Sequence, residues 1–236
     1  GLAKYISDTK IKIPGTLRFL FQPAEELAPG GATLMMAAGA IDDVDHIVGG
    51  HVLPSLSPDK IGIRFGAMAA NVEKLDIRLK GPGGHTSRPA DSVDLIWAQS
   101  HLVLSLEESI KHRLDQRESV VIAFGQVEGG HTCNVLPSEI FLTGTLRYLN
   151  TNLKAQIHQI IDDTIKSVEG ITDAQITWSI PHTSPGLVND ATCTKLIIDA
   201  AQSLLGPENV QIMKESSMGG EDFAYYLAKI PGAYFR

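Results

Sequence analysis

Lys74-Leu75-Asp76-Ile77-Arg78-Leu79-Lys80 alternates charged and apolar side chains without a break. A β-strand points successive side chains to opposite faces, so this stretch reads as a strand with one face in a core and the other in water. Working outward, a turn follows at Gly81-Pro82-Gly83-Gly84, then a helix from about Ser92 to Lys111 and strands at Ser119–Val127 and Glu139–Tyr148. A helix from about Asn152 to Val168 and a strand at Ala174–Ile180 complete the block. The order β-α-β-β-α-β predicts a ferredoxin-like unit, an antiparallel sheet with two helices on one face.

Both flanks read differently. Up to about Gly66, strand and helix signals alternate: Leu17–Phe21 as a buried strand, Gly30–Ala40 as a short helix, and His46–Val52 and Lys60–Phe65 as strands. After Pro181–Pro185 come a helix at Ala191–Leu205 closed by Gly206, a short helix at Glu221–Lys229, and a strand containing Tyr234-Phe235-Arg236. Alternation of this kind predicts an α/β fold. The expected organisation is an α/β domain in two parts, 1–68 and 183–236, with the 69–182 block inserted between them. Pro and Gly cluster at 81–84 and 181–186, and the second cluster suits a hinge.

The bulk numbers exclude several functions. With 43% hydrophobic and 20% charged residues, the 236-residue chain has the composition of a soluble globular protein. A net charge of −7 and no basic patch argue against nucleic acid as a partner. No apolar run nears the ~20 residues of a membrane span, and no secretory signal pattern opens the sequence, so no membrane partner and a cytoplasmic location are expected. Cys133 and Cys193 form no C-x-x-C pair and are expected to be free, buried thiols. The chain opens on Gly1-Leu-Ala-Lys and stops inside a strand signal, which reads as a fragment of a longer protein. A serine-hydrolase elbow, a phosphate loop and a dinucleotide fingerprint are all missing from the sequence.

Chemistry-bearing residues punctuate this frame. Glu25 and Glu26 stand where the apolar run Leu17–Phe21 stops; they either reach water, a cation or a metal, or open a helix whose dipole favours them. His51 follows Gly49-Gly50 at the end of the next strand, where a βαβ unit could bring it beside Glu26, although a lone His is also a common structural residue. Asp42, Asp43, Asp45 and His46 precede that strand and read as a solvated turn. Gly83-Gly84-His85 ahead of a helix suits an oxyanion, or is an ordinary turn. Asn134 and Arg147 are of the types that orient a carbonyl and bind a carboxylate, and Gly219-Gly220 lets a backbone come close to a partner.

Taken together, Gln22-Pro-Ala-Glu-Glu26, Gly50-His51-Val52, Gly83-Gly-His85, Asn134-Val-Leu-Pro137, Gly144-Thr-Leu-Arg147 and Ser217-Met-Gly-Gly-Glu-Asp-Phe223 resemble the two-metal amidohydrolases that include hippurate hydrolases, aminoacylases and auxin-conjugate hydrolases, within a superfamily of metallo-carboxypeptidases. The resemblance covers nearly the whole chain. It implies a catalytic α/β domain carrying an inserted lid or dimerisation domain, and hydrolysis of the amide bond of an N-acyl amino acid. Glu25 would be the general base that activates a metal-bridging water, and Glu26 and His51 would be ligands of two divalent ions, zinc, manganese or cobalt. His85 would stabilise the oxyanion, often in the neighbouring subunit of a homodimer. Asn134 and Arg147 would recognise the substrate carbonyl and carboxylate, and Gly219 and Gly220 would line the acyl pocket.

The family also carries a His-x-Cys-Gly-His-Asp segment before the Glu pair and a further His ligand beyond the position of Arg236, and neither is in this sequence. One Glu and one His from a set of about five would not by themselves hold a two-metal centre. The alternatives are therefore a dipeptidase or carboxypeptidase of the same superfamily, and a non-catalytic, truncated dimerisation module.

Overall fold

The computed structural model describes residues 2–26 and 30–236. In chain order its elements are α1 (Leu2–Thr9), α2 (Ala32–Ala37), β1 (Ile47–Gly50), β2 (Ile61–Ile63), β3 (Gly66–Ala69), β4 (Asn71–Lys80), β5 (Gly84–His85), α3 (Leu95–Arg113) and β6 (Val120–Glu128). There follow β7 (Val135–Leu136), β8 (Glu139–Tyr148), α4 (Lys154–Thr172), β9 (Gln175–Ser184), β10 (Leu187–Asn189), α5 (Ala191–Leu205), β11 (Val210–Ile212), α6 (Ala224–Leu227) and β12 (Gly232–Phe235). The fold is mixed α/β.

The alternation in Lys74–Lys80 does what its period requires. Leu75, Ile77 and Leu79 are at most 1% exposed, whereas Lys74, Arg78 and Lys80 stand in solvent. β4 is a central strand of an antiparallel sheet ordered β6-β8-β4-β9. Its apolar face meets α3 through Leu95, Ala98, Leu102 and Leu106, spaced three or four residues apart, and α4 through Ile157, Ile160 and Ile161. Each such leucine or isoleucine removed from water contributes about 1.5–3 kcal/mol. Asp94 starts α3 by accepting from the Trp97 amide at 3.0 Å, and α4 ends on Asp173 in the left-handed region, φ 58°.

On either side of that sheet, early strands pair with late ones: β1 runs parallel to β12, β2 parallel to β11, and β3 antiparallel to β10. The two flanks of the chain are thus joined by backbone ladders. Asn71 ties them to the four-stranded sheet, its amide donating to the Tyr148 carbonyl at 3.0 Å and its oxygen accepting from the Gly186 amide at 2.9 Å. α5 matches the expected range and closes at Gly206, φ 88°.

Some expectations need correction. Leu17–Phe21 is not a buried strand: Leu17, Phe19 and Phe21 are 49%, 37% and 82% exposed, and no strand among the described residues lies beside them. Without a neighbouring ladder the backbone groups of an extended run remain with water, and no strand is defined. The helix expected over 30–40 is cut to Ala32–Ala37, since Gly39 takes a left-handed φ of 80°, and that expected over 221–229 is reduced to Ala224–Leu227 with turns around it. Cys193 is buried as expected, but Cys133 is exposed because it lies in the loop before β7. Asp42, Asp43, Asp45 and His46 form the solvated turn anticipated for them. Glu25 and Glu26 lie in a turn; the alternative that they open a helix falls on residues 27–29, outside the described residues.

Candidate active site

The parallel pairing of β1 with β12 sets Gly49 opposite Tyr234. A side chain at Gly49 would begin 2.8 Å from the Tyr234 ring, so the glycine is what admits the aromatic there. The Tyr234 hydroxyl then donates to Glu221 Oε2 at 2.7 Å. Glu221 and Asp222 precede α6 and are only 6% and 8% exposed. The Glu25 turn meets them, and carboxylate oxygens of Glu25, Glu221 and Asp222 lie within 4.8 Å of one another.

Three acids this close do not all ionise freely. Burial raises the Glu25 pKa above the ordinary carboxylate value, and the charges of Glu221, Asp222 and Glu26 and a hydrogen bond to Glu221 push it the same way. The Tyr234 hydroxyl is likewise pushed well up, first by burial and then by its bond to Glu221, so it remains a protonated donor. Asp222 faces the other way: its Oδ2 accepts from Gln22 Nε2 and from the Ala32 amide, while Gln22 Oε1 accepts from the Tyr226 hydroxyl at 2.8 Å.

Glu26 is exposed beside Glu25, and neither it nor His51 belongs to the carboxylate group. His51 leaves β1 with its amide on the Phe235 carbonyl at 3.0 Å. Its Nδ1 lies 2.6 Å from the Val52 carbonyl oxygen, which can only accept. Nδ1 therefore donates to it, which leaves Nε2 as the ring atom turned to a ligand.

The remaining residues fall into two further places. β5 and β7 form a two-stranded ribbon that sets His85 opposite Val135, and the Thr86 amide donates to the Asn134 carbonyl at 3.1 Å, so His85 and Asn134 are neighbours. Arg147 lies near the other end of β8, opposite Val72, where Nη1 donates to the Met218 carbonyl at 2.8 Å and Nε to Thr145 Oγ1 at 3.3 Å. Gly219 is bound there through its carbonyl to the Ala70 amide at 3.2 Å, and a Cβ at Gly220 would meet Val72 at 3.1 Å. The structure thus brings Arg147 to Gly219 and Gly220, keeps His85 with Asn134, and does not join these two groups.

A profile of Peptidase family M20/M25/M40 matches residues 1–236. The chain belongs to that family. It is 37% identical over 236 residues to the probable hydrolase sll0100 of Synechocystis, covering all of this chain and 60% of that protein. It is 33% identical over 240 residues to an N-acetylcysteine deacetylase of Bacillus subtilis, covering 99% of this chain and 60% of the relative. Among solved structures, the Bacillus subtilis YxeP protein, a dinuclear metal-binding peptidase of the M20 family, superposes with a TM-score of 0.80 at 28% identity, covering 99% of this chain and 58% of that one. The chain therefore spans about 60% of the length of these relatives.

Within this M20 chain, Tyr226 and Tyr234 were not singled out from sequence, and Gln22, Glu221 and Asp222 stood only as members of motifs, with no role assigned. Glu221 and Asp222 read as helix-start acids and do precede α6, and only their 6–8% exposure marks them as more than solvated caps. Gly30-Gly31 was a usable signal, because both glycines stand where a side chain would collide, Gly30 with Asp222 and Gly31 with the Pro23 carbonyl. The residues present fit a divalent cation in kind: His51 offers a free Nε2, and the acids around Glu25 leave negative charge that no basic side chain among the described residues pairs.

Proposed function

We propose that this protein is a metal-dependent hydrolase that cleaves the amide bond of N-acyl amino acids, with 1–68 and 183–236 forming its catalytic α/β domain and 69–182 a ferredoxin-like lid through which it dimerises. One observation carries the reading: exposed Glu25 sets a carboxylate oxygen within 4.8 Å of those of the buried acids Glu221 and Asp222, an arrangement that raises its proton affinity, and adjoins a second exposed carboxylate at Glu26. A general base works best when its pKa is lifted toward the working pH, and a ligand works best when it is ionised. Glu26 and the Nε2 of His51 would hold the metal, zinc, manganese or cobalt. A bound divalent ion supplies Lewis acidity, polarising the amide carbonyl and easing ionisation of water.

Glu25 then takes the proton of the attacking water and hands it to the leaving nitrogen. His85 is preset as a donor: its Nδ1 accepts from the Ser87 amide at 3.1 Å, which leaves the proton of the neutral ring on Nε2 to meet an oxyanion. Asn134 orients the carbonyl. Arg147, whose Nη2 has no protein partner among the described residues, receives the substrate carboxylate, and Gly219 and Gly220 line the acyl pocket. The Gly84–Leu136 pair lies in the separate β5-β7 ribbon, which adjoins the Glu139 end of β8, whereas Arg147 lies about 27 Å of extended chain along that strand from Glu139. That span supports a site completed by the His85 of a second copy.

The test is Glu25→Gln in the native protein. It is expected to keep its metal and lose about 10²–10⁴-fold in turnover of acetyl- or benzoyl-amino acids. Undiminished turnover would overturn the assignment, and a preference for free-amine dipeptides would move the protein to the dipeptidases.

A further inference from the structure

The turn that carries Glu25 and Glu26 is an unusual piece of backbone. Ala24, immediately before Glu25, has φ +56°, a left-handed conformation that costs an alanine energy, and Gly30 on the far side has φ +84°. Strained residues of this kind persist only where the surroundings over-determine them. The surroundings here are one side chain. Asp222 Oδ2 accepts from the side-chain amide of Gln22, before the turn, and from the backbone amide of Ala32, after it, at 3.3 Å.

The fit around that oxygen is close on every side. A Cβ at Gly30 would fall 2.3 Å from Asp222 Oδ2, and one at Gly31 would fall 2.0 Å from the Pro23 carbonyl, so the neck of the turn closes only because both positions are glycine. Asp222 is 8% exposed, and the Gln22 amide it holds is anchored again by the buried Tyr226 hydroxyl at 2.8 Å. These hydrogen bonds are made within the protein, between Asp222 and the two ends of the turn and between Gln22 and Tyr226. What they fix is where Glu25 and Glu26 stand.

We propose that Asp222 is a positioning residue that buckles the two ends of the Gln22–Ala32 segment together and so sets the base Glu25 and the ligand Glu26 in register; the functional half of this statement rests on the roles proposed above. Its contribution lies in the geometry of one acceptor oxygen. Asp222→Asn therefore keeps the device, because its amide oxygen can take the same two bonds, whereas Asp222→Ala removes it.

The experiment compares Asp222→Ala, Asp222→Asn and Tyr226→Phe in the native protein by two readouts. Amide hydrogen exchange at Ala32 is expected to quicken about tenfold or more in Asp222→Ala, since a buried hydrogen bond is lost, and to stay near wild type in Asp222→Asn. Turnover of an acetyl-amino acid should fall in parallel, in kcat and not in KM, because the carboxylate-binding Arg147 is held elsewhere, and should return in Asp222→Asn. Tyr226→Phe, which loosens only the second anchor of Gln22, should fall between. Unchanged Ala32 exchange in Asp222→Ala overturns the buckle, and so does an Asp222→Asn variant as impaired as Asp222→Ala, which would assign the effect to the charge. Were the proposed activity mistaken, the wild type would not turn over the acetyl-amino acid, and were only the role of Glu25 mistaken, Glu25→Gln would retain turnover; in either case the exchange result would still stand.

Discussion

Glu73 and Glu221 are both buried carboxylates, 1% and 6% exposed, and the chain treats them in opposite ways. Glu73, on the helix-facing side of β4, receives Lys154 Nζ at 2.7 Å, His158 Nε2 at 2.6 Å and the Tyr148 hydroxyl at 3.2 Å. Burial opposes its ionisation, but the hydrogen bonds and charges of Lys154 and His158 outweigh that and hold its pKa below the ordinary carboxylate value. Glu221 is given only neutral donors among the described residues, the Tyr234 hydroxyl at 2.7 Å and the Phe223 amide at 3.5 Å, and faces two more acids. The first site is finished by its own chain. The second leaves negative charge for a proton or a cation from outside, and that difference separates a buried acid neutralised within the fold from one that is not.

The contrast breaks most directly at Glu73. Glu73→Gln leaves Lys154 and His158 without their anion and is expected to cost roughly 3 kcal/mol, at the low end for a disrupted buried pair because Lys154 reaches solvent. Glu221→Gln in metal-free protein should change stability by less than about 1 kcal/mol in either direction, since it also removes a like charge. Urea midpoints of the two variants decide the matter; equal losses would erase the distinction. Metal addition probes the other side. Zinc or manganese at about 100 times its dissociation constant should stabilise the wild type by about 2.7 kcal/mol, read as a rise in Tm that a chelator reverses and that His51→Ala abolishes.

The two sites also differ in how legible they were. Lys74–Lys80 disclosed its strand because alternation is a local property, and Ala191–Leu205 disclosed its helix because Gly206 stops it. Leu17–Phe21 misled, because an apolar run signals a strand but not the ladder that a strand needs. Of the carboxylate group, Glu25 stood out by residue type and motif, as did Glu26 and His51, which lie outside it. Tyr234 and Asp222 did not, because what makes them important is a register between β1 and β12 and two hydrogen bonds spanning about 200 residues of chain. Glu73 lies just before the alternating stretch with no motif to mark it, and its cage comes from a helix that begins about 80 residues later.

A pH series sharpens the comparison further. The folded-state pKa of Glu73 lies below its unfolded value, so between the two the folded protein binds fewer protons than the unfolded chain. Its stabilisation is fully present above the unfolded value and is lost as pH falls through the lowered folded pKa. Urea midpoints from about pH 7 to pH 3 should therefore fall more steeply in the wild type than in Glu73→Gln, and parallel acid limbs would remove Glu73 from the account.

The smallest effect separates the members of the cage. The Lys154 side chain is 46% exposed, against 26% for His158, so its charge is partly screened and its place at Glu73 Oε1 is shared with the Tyr148 hydroxyl. Lys154→Met keeps the aliphatic stem, leaves His158 and Tyr148 on the carboxylate, and lets water reach the vacated oxygen. It is expected to cost about 1 kcal/mol, the worth of one partly solvated charged hydrogen bond, and to leave turnover unchanged. A cost equal to that of Glu73→Gln would mean that the lysine alone neutralises the acid. In that case Glu73 would depend on a single solvent-reaching cation, and the cage would differ from the Glu25–Glu221 group in degree only.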